Sequence, residues 1–190
     1  MTKVFCDALL ATHPAHDIAG SNDFYAPLIG SWTTEVLDAE ADGSKRVTEG
    51  EWHFVRILEG RGVQDVLIVP SREQRNLRTP RRFNRYGSSL RIFDSRNGIW
   101  RVQWCNPRDG EIFLLESQRA GADIVESGEG GNGSTLRWTI FDIKPDSFLA
   151  RGETRGKGNG DGAADWTTVV EIYARREDTT DRMLADASRS

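Results

Sequence analysis

Cysteine and histidine are scarce in this chain. Two of its 190 residues are cysteine and three are histidine. Cys6 and Cys105 form no C-x-x-C pair, so neither a zinc site nor a disulfide framework is indicated. A reducing cytoplasm is the simplest setting. Long hydrophobic runs are missing too. No stretch approaches the roughly 20 apolar residues of a membrane helix, so no membrane span is expected. The N-terminus, MTKVFCDALLATHPAHD, has one lysine and an apolar run broken by Asp7, which makes a poor signal peptide. Neither sign of charge dominates. The net charge of −4 argues against a polyanion binder, and nucleic acid is not an expected partner.

Aromatic residues are what the chain has in quantity. Six tryptophans and eight phenylalanines can fill a core or line an apolar pocket. The length suits one domain. Residues 2–11 read as a short helix with Val4, Phe5, Leu9 and Leu10 on one side. A loop follows, marked by Pro14, Gly20 and Asn22. From residue 28 the period changes to two. Strands are predicted at 28–38, 46–58, 62–69, 86–95, 99–106, 111–119, 123–127, 134–143, 147–153 and 165–176. About ten strands with short turns and no long helix between them predict an all-β fold. It is a single antiparallel up-and-down β-barrel of eight to ten strands, able to enclose one small ligand. Residues 1–27 are expected to form an N-terminal cap, 28–176 the barrel, and 177–190 a polar tail that is frayed, with a short helix near 181–187 as the alternative.

The centre of the pattern is a hairpin, GEWHFVRILEGRGVQDVLIVP (50–70). It follows Gly30-Ser31-Trp32, a G-x-W opening the first strand. YGSSLRIFDSRNGIWRVQWCNP (86–107) and RWTIFDIKPDSFLARGE (137–153) come after it, then Trp166 and a strand ending Tyr173-Ala174-Arg175-Arg176. In this order the segments resemble a bacterial lipocalin-like family of uncharacterised function. That family lies within the calycin group, which includes the fatty-acid-binding proteins. The resemblance spans about 28–176 and implies a small barrel with an internal cavity. It carries no activity over to particular residues. Trp32 is implied as a plug at the barrel floor. Haem-binding calycins use a histidine late in the chain, and none follows His53 here. No cofactor is expected.

The candidate site residues follow from strand parity. His53 shares a face with Glu49, Glu51, Val55 and Ile57, while Trp52, Phe54 and Leu58 make the other face equally apolar. Parity leaves both orientations open. If His53 points inward it can shuttle a proton with Glu153 or Asp65 as partner, so these three are the catalytic candidates of an enzyme. Gln64 and Asp65 are adjacent, so one of them must point in. Arg91, Arg151, Glu171 and Tyr173 pose the same question, and an inward arginine would suit a carboxylate or enolate. Trp104 and Asn106 share parity with Trp100 and Val102 and are expected inside, as is Trp138. The ligand-binding candidates are thus Gln64, Arg91, Trp104, Asn106, Trp138, Arg151, Glu171 and Tyr173.

Other patterns carry less. The loop 71–85 holds six arginines and could gate the barrel mouth or attract an anion. His13 and His16 flank Pro14 with no third ligand near, so no metal is expected. The glycine-rich 128–133 and 156–162 lack phosphate-loop spacing and read as hairpin turns. Residues 159–165 lack the closing glutamate of a calcium loop. No G-x-S-x-G and no Ser-His-Asp constellation is legible. The expected function is binding of a small hydrophobic or amphipathic molecule, with an arginine available for an anionic group. The alternative is a cofactor-independent isomerase, cyclase or lyase. A homodimer is left open by the sequence.

Overall fold

The computed structural model describes residues 2–18, 20–75, 84–156 and 165–177. Helix α1 (Thr2–Leu9) leads into a two-residue strand, β1 (Leu10–Ala11). Ten longer strands follow: β2 (Gly30–Ala39), β3 (Lys45–Ile57), β4 (Gly62–Val69), β5 (Arg85–Asp94), β6 (Ile99–Asn106), β7 (Glu111–Ala120), β8 (Asp123–Glu129), β9 (Thr135–Phe141), β10 (Ser147–Arg155) and β11 (Thr167–Arg176). Each pairs antiparallel with its neighbour in sequence, and β11 returns to β2, which closes the barrel. Closure satisfies both edges of every long strand. This is the all-β up-and-down barrel that the period-two pattern predicts. Most of the arginine-rich loop (76–83), nearly all of the 156–164 turn and calcium segment, and the polar tail from residue 178 lie outside the described residues.

Burial alternates along the strands and shows which face is inside. On β2, Trp32, Thr34, Val36 and Asp38 point in. On β3 the inward set is Gly50, Trp52, Phe54 and Arg56. Two aromatic rings hide more apolar surface than His53 and Val55 can, and this decides the parity of β3.

One end of the barrel is plugged. Trp32 is fully buried and donates from Nε1 to the Leu28 carbonyl at 2.8 Å. The Arg176 guanidinium covers its ring at 4.1 Å and donates to the carbonyls of Pro27 and Ile29. Gly30 has φ +135°, and a Cβ there would lie 2.5 Å from Arg176 Nη1. The first position of G-x-W is therefore held by backbone conformation and by the space the arginine needs. The segment before β2 crosses this end in three short 3₁₀ turns and inserts Ile18, Tyr25 and Leu28 into the core. Arg56 clamps it by two hydrogen bonds of 2.8 Å to Asp23, and Trp100 Nε1 donates to the Asn22 carbonyl at 2.9 Å.

Helix α1 differs from expectation. It ends at Leu9, and Leu10–Ala11 pairs with the end of β3. Val4 and Phe5 are exposed, so the apolar side of the helix is not packed into the barrel.

Candidate functional site

The lumen holds two apolar clusters that share Trp138, and a buried charged group. The larger one fills the plugged end and runs on along the lumen to Leu67 and Val69, with Trp104 and Trp138 packed against it. Trp32, Trp52, Phe54 and Phe148 form its aromatic centre, with ring centroids 4.7 to 6.2 Å apart. Rings at this spacing attract one another edge to face as well as by burial. The smaller cluster, Val102, Leu115 and Leu136, lies toward the far end with Phe113 and Trp138 against it. Phe113, Trp104 and Trp138 all point inward yet are only half-buried. Two glycines seat the tryptophans. A Cβ on Gly87 would lie 2.2 Å from the Trp104 ring, and one on Gly152 would lie 3.0 Å from that of Trp138. The indoles lie against bare backbone in place of side chains.

The charged group is centred on Arg91, which is 1% exposed. Its Nε donates to Glu126 Oε1 at 2.8 Å and its Nη1 to Asp65 Oδ2. The guanidinium also lies over the rings of Tyr25 and Phe54, at 5.0 and 5.7 Å. The Tyr25 hydroxyl donates to Glu126 Oε1 at 2.7 Å and lies 2.6 Å from Ser117 Oγ. Burial, reinforced by the adjacent Glu126 carboxylate, pushes the Tyr25 hydroxyl well above its ordinary range. It therefore stays a donor. Burial works against the charge of Arg91, but Glu126 and Asp65 outweigh it and keep the guanidinium charged. One cation thus faces two carboxylates and a phenol inside the barrel. Removing the cation leaves two carboxylates uncompensated in a dry place.

The far end carries a second polar group. Asp38, Arg46 and Arg85 project inward from β2, β3 and β5. Arg46 Nη2 donates to Asp38 at 2.6 Å, and Arg85 binds the same carboxylate from a strand two places further round the wall. Two buried polar atoms of the lumen, Thr34 Oγ1 and Trp52 Nε1, have no hydrogen-bond partner among the described residues. Such orphans are uncommon and costly, and a bound group can satisfy them.

Of the residues singled out from sequence, five point into the barrel: Asp65, Arg91, Trp104, Asn106 and Trp138. Six do not, and the inward placements considered for them are corrected. His53 faces out because Trp52 and Phe54 take the inner face of β3. It bonds instead to Ser31 and Glu51. Gln64 alternates with Asp65 and donates to Ser88 Oγ at 3.1 Å on the outer wall. Glu153 lies opposite Arg137 outside the lumen and pairs with it at 2.8 Å, because Gly152 takes the inner position. Arg151 and Glu171 form an outer pair at 3.2 Å, with Lys45 also on Glu171. Tyr173, of the same parity as Glu171, is exposed. Sequence reading missed Glu126, Tyr25 and Ser117. Glu126 lay in a strand otherwise unremarkable, and Tyr25 sits in a loop. A buried-charge count could have pointed to Glu126, since an inward Arg91 and Asp65 invite a further partner.

Among the described residues, no group of three or more His, Cys, Asp or Glu side chains is placed to hold a metal ion. No helix among them is long and apolar enough to cross a membrane.

Fold and lumen together define a lipocalin-like barrel with a plugged end, a buried ionic group and an aromatic far end. In structure the chain is similar to the S-type phycobiliprotein lyase CPES of Guillardia theta. The TM-score is 0.56 at 8% sequence identity, over 89% of this chain and 99% of that one. At this identity the likeness speaks for the fold alone. No family model and no curated protein matches the sequence. The resemblance to a bacterial lipocalin-like family therefore stands at the level of the barrel.

Proposed function

We propose that the barrel binds a small, mainly apolar molecule that carries an anionic group. The observation behind this reading is the uneven burial of inward aromatic rings. Trp104, Trp138 and Phe113 face the lumen and keep exposed surface, whereas Trp32, Trp52, Phe54, Trp100 and Phe148 are covered. An apolar pocket with a few convergent polar groups is the common form of a small-molecule site. The apolar part of the ligand lies against Trp104 and Trp138. Its acidic group meets Arg46 and Arg85, and orphaned Thr34 and Trp52 offer further hydrogen bonds. The plug leaves the far end as the way in. The test is native mass spectrometry of protein from its own host, with tryptophan quenching by palmitate and by 8-anilinonaphthalene-1-sulfonate. A retained small molecule, or saturable quenching that weakens about tenfold in Trp138→Ala, supports binding. Absence of both rejects it.

A second reading is a cofactor-independent isomerase, cyclase or lyase. It is favoured by the gathering of Asp65, Glu126, Tyr25 and Arg91 in one buried group, which brings acid, base and cation together. The likeness to a lyase of known structure is compatible with it. His53 and Glu153 leave this reading because they face outward, and Asp65 remains as base. Once a turnover is found, unchanged activity in Asp65→Asn would reject that role.

A further inference from the structure

The parity that takes His53 out of the lumen sets it in another constellation. Ser31 of β2 stands directly opposite His53 of β3 in the register, and Glu51 lies two residues before it on the same face. Side chains so placed are neighbours. Ser31 Oγ lies 3.0 Å from His53 Nδ1, and His53 Nε2 lies 2.8 Å from Glu51 Oε2. Arg72 fastens the carboxylate with Nε at 2.9 and 3.0 Å, Nη2 at 2.7 Å and its backbone N–H at 2.6 Å. Hydroxyl, imidazole and carboxylate thus form one hydrogen-bonded line on the outer wall.

The electrostatics give that line a direction. Burial would raise the Glu51 carboxyl, but hydrogen bonds from Arg72 and His53 outweigh it and hold the carboxyl at about 2. Glu51 is therefore ionised and accepts from Nε2–H. In the neutral tautomer that donates to Glu51, Nδ1 turns its lone pair toward the serine hydroxyl. This is the requirement for an activated oxygen nucleophile: a base within hydrogen-bond reach, itself oriented by a third group. The carboxylate and the hydroxyl have exchanged ring nitrogens relative to the serine-protease arrangement, which leaves the roles unchanged.

We propose that Ser31, with His53 as base and Glu51 as positioning residue, is a nucleophilic site for activated acyl esters on the outside of the barrel. Ser31 Oγ attacks the ester carbonyl carbon while its proton passes to His53 Nδ1. The bond to the leaving alkoxide breaks, and that oxygen takes the proton from Nδ1. The product is an acyl-serine and a free alcohol. Water then attacks the acyl group with His53 as base, which returns Ser31 and releases the carboxylic acid. Ser31 lies within a strand paired on both sides, and its carbonyl accepts from the Glu177 N–H. A strand so paired commits its amides to the ladder, so acylation is slow and covalent labelling is the sensitive readout.

The experiment treats the full chain with a fluorophosphonate and, separately, with p-nitrophenyl acetate. Intact mass and peptide mapping locate the adduct. One adduct is expected, on Ser31, and it is lost in Ser31→Ala. His53→Ala should slow labelling at least about tenfold, since a positioned base accelerates by that much or more. Glu51→Gln should slow it and Glu51→Asp restore part of the rate, with circular dichroism unchanged in each. No adduct, an adduct at another residue, or an unchanged rate in His53→Ala overturns the proposal. Mapping the wild-type adduct needs no variant, so the test stands even if a substitution prevents folding.

Discussion

Inside one barrel, tryptophan and phenylalanine occur in two states. At the plugged end Trp32 and Trp100 are 0% exposed and Phe148 is 1% exposed, each packed edge to face on a neighbouring ring. At the far end Trp104, Trp138 and Phe113 also point inward and stay half-buried. The residue types are the same, so hydrophobicity does not separate the two ends. The difference lies in what covers them. The N-terminal segment delivers Tyr25 and Leu28 into one end, while at the other Gly87 and Gly152 withdraw side chains from the wall. One end is built for stability and the other retains surface that a ligand can cover. Arg91 with its two carboxylates is buried in the same lumen.

The largest effect is expected at Arg91. Arg91→Met leaves Asp65 and Glu126 buried without their cation and should cost about 3–5 kcal/mol in urea unfolding. Adding Asp65→Asn and Glu126→Gln should recover most of the loss. A loss below about 1 kcal/mol would mean that the group is solvated. Next comes the contrast itself. Phe148→Ala should cost about 3–5 kcal/mol, as full burial demands. Trp138→Ala should cost about 1–2 kcal/mol and act chiefly on binding. Equal losses would erase the distinction between the two ends.

A smaller effect is expected where the wall is bare. Gly87→Ala places a methyl where the Trp104 ring lies and should cost about 1–3 kcal/mol. The displaced indole should change the tryptophan emission. An unaltered spectrum would show that Trp104 already occupies another position. The smallest effect belongs to the outer wall. The Glu51 carboxyl is held at about 2 against an ordinary value of 4.5. Its contribution is therefore present in full above the ordinary value and is lost as pH falls from there toward about 2. Solvent screening limits it to about 1 kcal/mol, and Glu51→Gln should flatten that part of the acid limb. An identical acid limb in the variant would remove Glu51 from the account.

Much of the barrel was legible in the chain. Period-two stretches separated by turn residues gave ten strands within a few residues of those observed, since each strand must bury one face and every tight turn needs its special residues. On β6, Trp100, Val102 and Trp104 share one parity against Arg101, Gln103 and Cys105, so the inner face there could be read directly. On β3 it could not. Both faces carry large apolar groups, and the choice fell to whichever packs better across the lumen.

What the sequence by itself determined is the alternation: which side chains share a face, and that enough such faces follow one another to close a barrel. Asp65 and Arg91 were singled out that way, without their partner. Only the tertiary structure decided which face is inside and who meets whom. Tyr25 reaches Glu126 across 101 positions of sequence, and Arg91 reaches it across 35. Local pattern holds no record of such distances. Closure sets them, because the pairing of β11 with β2 and of β3 with β4 fixes every strand against every other. The same closure that filled the lumen with Trp52 and Phe54 put His53 beside Ser31 on the outer wall.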